Sequence, residues 1–376
     1  MFKEETEQPE QPTSWKEFPI LLIKGFLMGS ADIIPGVSGG TMALIVGIYT
    51  RLIHAIKSFD LSFFKNVLTF RLAPALASAH WKFLVMLFTG IFAAVLFFTR
   101  VVPLQVYMFT HPELIFGLFF GLILGSVFIL AKALESFSWS NAGFVLLGVL
   151  IGYWVVTLVP TDTSESPLFV FFSGAIAICA MILPGISGSY ILLILQKYDY
   201  ILSHLGKLGS SETLDGLLVL IPFGLGCVIG LGLFSRFLSW LLDNHYKKTL
   251  AVLIGFMIGS LYVIWPYQNR SYEEFITDRQ VIEYSSPKAK ELRENPPDEN
   301  RPEFERLNEA SGSGAVSDGD KKVEVLTIKK KLVHTEPYIP YVTVEGAGTP
   351  HLKGGLIGLM AGMVLVIGLD YLREKK

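Results

Sequence analysis

The sequence has little cysteine and little charge. Its two cysteines, Cys179 and Cys227, both lie in apolar runs, which excludes the disulfide framework of a small secreted domain. Charged residues make up 17% of the chain, against about 25% in an ordinary soluble domain, whereas 51% of residues are hydrophobic. The net charge of -2 gives no indication of nucleic-acid binding. This balance favours a membrane protein, and no cofactor or metal pattern is indicated.

The N-terminal segment 1–17 is polar and acidic, and it lacks the basic region with which a signal peptide begins. We therefore predict that it forms a disordered lead into the membrane part.

Apolar runs of about the length needed to cross a bilayer recur along the chain. Two further stretches, 18–56 and 168–200, are apolar on both sides of a Pro-Gly break. Their arms of roughly 15–18 residues are short for a crossing and suit half of a re-entrant hairpin. The six predicted spans are 83–100, 114–131, 142–159, 217–235, 249–266 and 355–371.

The two breaks share one motif. "DIIPGVSGGTMALI" runs from Asp32 to Ile45, and "MILPGISGSYILLI" runs from Met181 to Ile194, 149 positions later. Each motif is followed by three spans, so the order motif, span, span, span occurs twice. The sequence thus predicts an all-α polytopic protein built from two repeats, 18–159 and 168–371.

Whether the two repeats are inverted or parallel depends on how the motif segments cross the membrane. If each is a re-entrant hairpin, a repeat crosses three times and the repeats are inverted, as in many secondary transporters; if each is a broken span, they are parallel. Basic residues favour the hairpins, since loops 51–82 and 236–248 are basic whereas 160–167 contains no Lys or Arg. We therefore predict inverted repeats in the cytoplasmic (inner) membrane, with both termini in the cytoplasm.

A charged block, 267–350, interrupts the second repeat on the predicted extracytoplasmic side. Its later part alternates enough to predict one or two strands. A tolerated insertion and a docking module for an envelope partner are both consistent with this composition.

A broken helix at membrane depth must be buried in protein or line a cavity. Pro35 and Pro184 are predicted to end the first arms, Gly36 and Gly185 to act with them as hinges, and a serine to cap each restarting helix. Two converging helix N-termini would offer unpaired amides to an anion. The predicted binding residues of the motifs are Ser38, Gly39, Gly40, Thr41, Ser187, Gly188, Ser189 and Tyr190.

Three charged residues flank this predicted site. Asp32 is the single acid of the two motifs and is either a proton-coupling carboxyl or an acid satisfied by neighbouring amides. Lys24 and Arg51 are candidate phosphate ligands, and each is alternatively an anchor at the membrane interface. A proton or another ion is the expected coupling partner.

The stretches Met28–Ile53 and Ala177–Leu195 resemble the polyprenyl-phosphate transporter family. The resemblance covers all the predicted membrane segments. It implies flippase-type lipid transport: undecaprenyl phosphate, left in the outer leaflet after assembly of peptidoglycan and other cell-wall polymers, is returned to the inner leaflet.

Two alternatives remain. Undecaprenyl-pyrophosphate phosphatase is similar in plan, and Asp32 matches the place of its acid, but Gly39 and Gly188 stand where that family has arginine and Thr41 where it has histidine. Without those groups a phosphoryl transition state lacks stabilisation, so we predict no enzymatic activity. A small-anion channel or exchanger would use the same helix-end site.

Overall fold

A computed structural model of the chain describes most of the 376 residues. Pro35 and Gly36 of the first motif, including the predicted hinge there, lie outside the described residues. The described ranges are 13–33, 38–102, 104–134, 139–158, 163–299, 301–309, 322–340 and 352–374.

The described part of residues 13–158, which contains the first motif, is mostly helical. A 3-10 turn, Trp15–Glu17, precedes α1, and Ser14 caps it. The helices are α1 (Phe18–Asp32), α2 (Gly39–Ile45), α3 (Tyr49–Lys57), α4 (Leu61–Leu68), α5 (Leu72–Ser78), α6 (Trp81–Arg100), α7 (Leu104–Thr110), α8 (Pro112–Ala133) and α9 (Trp139–Val156).

The rest of the described chain contains the second motif and carries a small sheet before its last helix. Its helices are α10 (Pro167–Ile182), α11 (Gly188–Ile194), α12 (Tyr198–Gly206) and α13 (Thr213–Ile264). The remaining elements are β1 (Gln268–Glu283), α14 (Pro287–Glu294), β2 (Glu303–Glu309), β3 (Lys322–Pro337) and α15 (Leu352–Glu374).

The predicted membrane character is confirmed. Among the described residues, four helices are long and apolar enough to cross a bilayer: α6, α8, α13 and α15. The pair α2 and α3 passes the same test together, with a bend of 120° between them.

The motif helices recur at one spacing. Gly39 and Gly188 begin α2 and α11, and Tyr49 and Tyr198 begin α3 and α12, so both pairs are 149 positions apart. The short helices also end in the same way, because Gly47 (φ 71°) and Gln196 (φ 51°) adopt the left-handed conformation. This geometry closes a Schellman motif after each helix. The closing bonds run from Ile48 N to Ala43 O (2.9 Å) and from Lys197 N to Leu192 O (2.8 Å).

These helix ends correct the predicted hairpins. The first arms, α1 and α10, have about the expected length, with 15 and 16 residues. The second arms do not, because α2 and α11 each stop after seven residues. The chain then turns into a separate helix in both repeats.

The predicted loop 236–248 is mostly helical. Two helices meet within it at a kink, because the backbone of Thr213–Ile264 leaves the helical region at His245 (φ -135°, ψ 39°). The two predicted spans 217–235 and 249–266 are therefore joined by a kink.

A polar cluster ties α3 to α13 just before this kink. The Asp243 carboxylate lies 3.1 Å from His54 Nε2 and 3.7 Å from Lys57 Nζ. Ser239, fully buried, accepts a hydrogen bond from Lys57 Nζ (2.8 Å) and donates one to Asp243 (3.2 Å). At the duplicated positions of His54 and Lys57 the chain has Ser203 and Gly206, so the charges are not repeated.

Residues 103–117 and 265–357 form a second compact unit around the charged insert. Its sheet is antiparallel with the order β1-β3-β2. The predicted strand in the later part of the block is confirmed as β3, whereas β1 and β2 were missed. Their exposed faces carry so many charges that they lack a clear apolar alternation. Phe304, Leu326 and Ile328 form the small core of the sheet.

Candidate functional site

The two motifs contact each other, as the sequence predicts. Ser38 Oγ lies 3.4 Å from the backbone carbonyls of both Met181 and Leu183, and its single proton is shared between them. In return, Gly185 N–H donates to Thr41 Oγ1 at 2.7 Å. These bonds bring together stretches more than 140 positions apart and leave Ser38 and Thr41 only 2% exposed.

Tyr49 adds a bond between the motifs that the sequence analysis missed. Its hydroxyl donates to Ile182 O at 3.2 Å, and the residue is 2% exposed. A tyrosine also stands 149 positions later, at Tyr198, and this repetition in the sequence could have pointed to Tyr49.

The N-terminus of α2 is satisfied by the chain itself. Gly39 N–H donates to Asp32 Oδ1 at 2.7 Å, and Gly40 N–H donates to Ser38 Oγ at 3.1 Å. The Ser38 cap is therefore confirmed. The prediction that these two amides are unpaired is wrong in this conformation, because a carboxylate and a hydroxyl already accept from them.

The N-terminus of α11 differs, although its sequence is similar. Ser187 lies at the cap position but makes no side-chain cap bond, so the predicted second cap is wrong. Ser187 Oγ instead lies 2.8 Å from Ser189 Oγ. Ser187 is half-buried and Ser189 is exposed, whereas Gly188 between them is buried. The accessible hydroxyls of the paired motifs are thus those of the second motif.

The two predicted hinge residues of the second motif, Pro184 and Gly185, are buried, and Gly185 has a φ of 86°. Tyr190, a predicted ligand, donates its hydroxyl to Val156 O at the end of α9 (2.8 Å). Its polar group is therefore engaged in packing.

Arg51 and Lys24 interact with residues near the start of α1 that could anchor this helix end. The Arg51 guanidinium donates to Glu17 Oε2 (2.7 Å) and Thr13 Oγ1 (3.0 Å), and it lies over the Phe83 ring at 4.7 Å. Lys24 is half-buried and acts electrostatically on Glu17. These contacts favour the anchor interpretation of Arg51.

The Glu17–Arg51 pair predicts a pH dependence. Burial alone would raise the pKa of Glu17, but hydrogen bonds from Arg51 and Ser14, with the charges of Arg51 and Lys24, hold that pKa below its ordinary value. A lowered folded-state pKa gives stability that is present above the unfolded-state pKa and is lost as the pH falls through the folded-state pKa. Both side chains are about one-third exposed, so we expect only about 0.2–1 kcal/mol.

The measurement is the unfolding temperature in detergent between pH 6 and pH 3. Wild type should lose more stability on acidification than Glu17→Gln, and Glu17→Gln with Arg51→Gln should follow the single variant. Equal pH slopes for wild type and Glu17→Gln would refute the prediction.

A family model matches residues 28–281, which contain both motifs and end in β1. The chain belongs to the undecaprenyl phosphate translocase-like family. It is 41% identical over 246 residues to a polyprenyl-phosphate transporter of Vibrio cholerae serotype O1, covering 65% of this chain and 77% of that one. It is 32% identical over 260 residues to a polyprenyl-phosphate transporter of Staphylococcus aureus, covering 66% and 86%. No solved structure matches.

Membership of this family bears on the alternatives. The two relatives are named transporters and not enzymes. The predicted absence of phosphatase activity agrees with these names. Separately, β2 and β3 of the charged insert lie beyond the residues that the family model matches.

Proposed function

We propose that the protein transports polyprenyl phosphate and returns undecaprenyl phosphate from the outer to the inner leaflet of the cytoplasmic membrane. The names of the two relatives support this substrate. The observation that carries the proposal is the contact of the two motifs beside a pair of accessible hydroxyls, Ser187 and Ser189.

The phosphate ligands in this proposal come mainly from the second motif. The Ser187 and Ser189 hydroxyls donate to phosphate oxygens. Gly188 between them lets the start of α11 pack closely against the Ala177 carbonyl of α10. Ser38 and Thr41 hold the first motif against the second. This division follows from their burial and their bonds to backbone groups.

Asp32 is the proposed coupling group. Its carboxylate occupies the Gly39 amide and would repel a phosphate dianion bound nearby. Protonation removes the charge and weakens the bond, so Gly39 N–H becomes available to the headgroup, whereas Gly40 N–H stays bonded to Ser38 Oγ. A proton from the outer side would thus accompany each phosphate.

The proposed movement is alternating access between two inverted repeats. The matched helices α1 to α3 and α10 to α12 support a duplication. The basic loops favour re-entrant motifs and cytoplasmic termini. The polyprenyl tail stays in the lipid throughout, so the protein only has to shield the headgroup.

Leaflet exchange in liposomes tests this function. We expect purified protein to move an NBD-labelled polyprenyl phosphate between leaflets, measured as the fraction that external dithionite reduces. NBD-labelled phosphatidylcholine, a phosphodiester, is the control and should not move. Exchange of both lipids, or of neither, would contradict the proposal. Chloride or phosphate flux without lipid movement would favour the channel, and release of inorganic phosphate would favour the phosphatase.

A further inference from the structure

Arg270, on β1 of the second compact unit, carries a buried donor without a partner. Its Nη2 is the one buried side-chain nitrogen or oxygen in the described part of the chain that has no hydrogen-bond partner. The guanidinium lies over the Phe116 ring, with Cζ 4.2 Å from the ring centre. Arginine stays charged in proteins, so a cation is held here with an unused N–H group.

The residues around Arg270 are aromatic, with one carboxylate nearby. Tyr272 packs against Phe109 at 4.9 Å, and Tyr272, Tyr338 and Glu113 all act on Arg270 electrostatically. Burial lowers the pKa of Arg270 below its ordinary value, and these three groups offset only part of that lowering. Within the described residues, Glu113 forms no ion pair with Arg270. The negative charge of Glu113 therefore stabilises the positive charge of Arg270 without accepting a hydrogen bond from Nη2.

The place of Arg270 in the fold is the edge of a membrane helix. Glu113 stands in the first turn of α8, and Phe116 lies one turn further in, where the apolar run begins. Aromatic residues concentrate at this level of membrane proteins, where lipid phosphates also lie. Arg270 as a whole is only half-buried, so a small rotation on the Phe116 ring would present Nη2 to a ligand from the surface.

We propose that Arg270 is a capture site for a phosphomonoester at the membrane surface, donating from its guanidinium fork to two phosphate oxygens. Planar, bidentate recognition of phosphate is the chemistry for which arginine is suited. This inference rests on the proposed function for its ligand, the headgroup of a polyprenyl phosphate. Free inorganic phosphate has the same chemistry and is distinguished by the test. The site would gather the lipid before the motif site receives it.

The test uses the full-length protein with Arg270→Gln and a matched control, Arg279→Gln, an exposed arginine on the same strand. We expect Arg270→Gln to raise the KM for transport of dodecaprenyl phosphate about ten- to hundredfold with kcat little changed, the effect of losing a charged hydrogen bond. Arg279→Gln should match wild type. Retention of dodecaprenyl phosphate in native mass spectrometry should fall in parallel, and this readout does not require transport.

Each other outcome decides a separate point. Unchanged KM and retention in Arg270→Gln would overturn the capture site. Competition by inorganic phosphate at the same concentration as the lipid would assign free phosphate and overturn the lipid ligand. Arginine-dependent retention in a protein that moves no lipid would support the site and refute the transport function. If Arg270→Gln does not fold, Arg270→Lys keeps the charge without the planar fork, and its KM must rise several-fold or the proposal fails.

Discussion

Replacing Ser187 and Ser189 together by alanine is expected to lower kcat/KM for polyprenyl-phosphate transport by at least about a hundredfold. The two hydroxyls bond to each other at 2.8 Å and, in the described structure, neither caps α11. Their proposed partners are phosphate oxygens, and hydrogen bonds to charged groups contribute about 1.5–3 kcal/mol each. Initial rates of leaflet exchange over a range of lipid concentrations measure the change.

Ser38→Ala is the matched control, since it removes the equivalent hydroxyl of the first motif. It loses the cap on Gly40 N and the bonds to Met181 O and Leu183 O. We therefore expect a loss of about 0.5–2 kcal/mol in the free energy of unfolding, together with a smaller transport defect. Normal transport by the double variant, with a defect in Ser38→Ala at unchanged stability, would reverse the assignment of the ligands.

Gly185→Ala is expected to destabilise the protein more than Gly209→Ala, a substitution at nearly the same backbone conformation. Gly185 has a φ of 86°, a conformation that costs other residues about 1–2 kcal/mol. An added Cβ would also lie 2.6 Å from Phe256 O, too close for contact with a backbone atom. Overpacking of this kind costs about 1–3 kcal/mol, so the total is about 2–5 kcal/mol. The unfolding temperature in detergent measures it.

Gly209→Ala separates the two contributions. Gly209 has nearly the same φ, 85°, but a Cβ there would meet nothing within 4 Å. It should therefore lose only the conformational part, about 1–2 kcal/mol. Equal losses for the two variants would show that α11 moves away from Phe256 without penalty and that Gly185 tolerates a side chain.

The sequence predicted the contact of the motifs because a repeated helix break in an apolar chain has few places where its polar groups can be satisfied. It did not predict that the two motifs would differ in their capping bonds and in the exposure of their hydroxyls. In the first motif Ser38 caps its helix, and Asp32 accepts from the neighbouring amide. In the second motif Met181 stands at the position of Asp32, and Ser187 makes no cap bond. The copies also differ after the break, where Gly40 corresponds to Ser189, so the second motif carries a hydroxyl that the first lacks.

The remaining errors have local physical causes. Gln196 adopts a left-handed conformation that is common for glycine but rare for glutamine, so only Gly47 gave a signal for the helix end. The segment 236–248 is charged and was predicted as a loop, but its backbone is helical except at His245, where the break lies. Arg270 gave no signal because nothing in its neighbourhood along the chain shows that Phe116 lies against it.

The seven-residue length of α11 fixes the angular position of the serine pair that we propose to bind the headgroup. Successive helical residues are about 100° apart, and the left-handed Gln196 sets the point from which the turns are counted. One residue inserted between Ser189 and Gln196 would swing the serine pair by about that angle relative to α12, away from the first motif. The direction in which the proposed site faces is thus set at the far end of the helix.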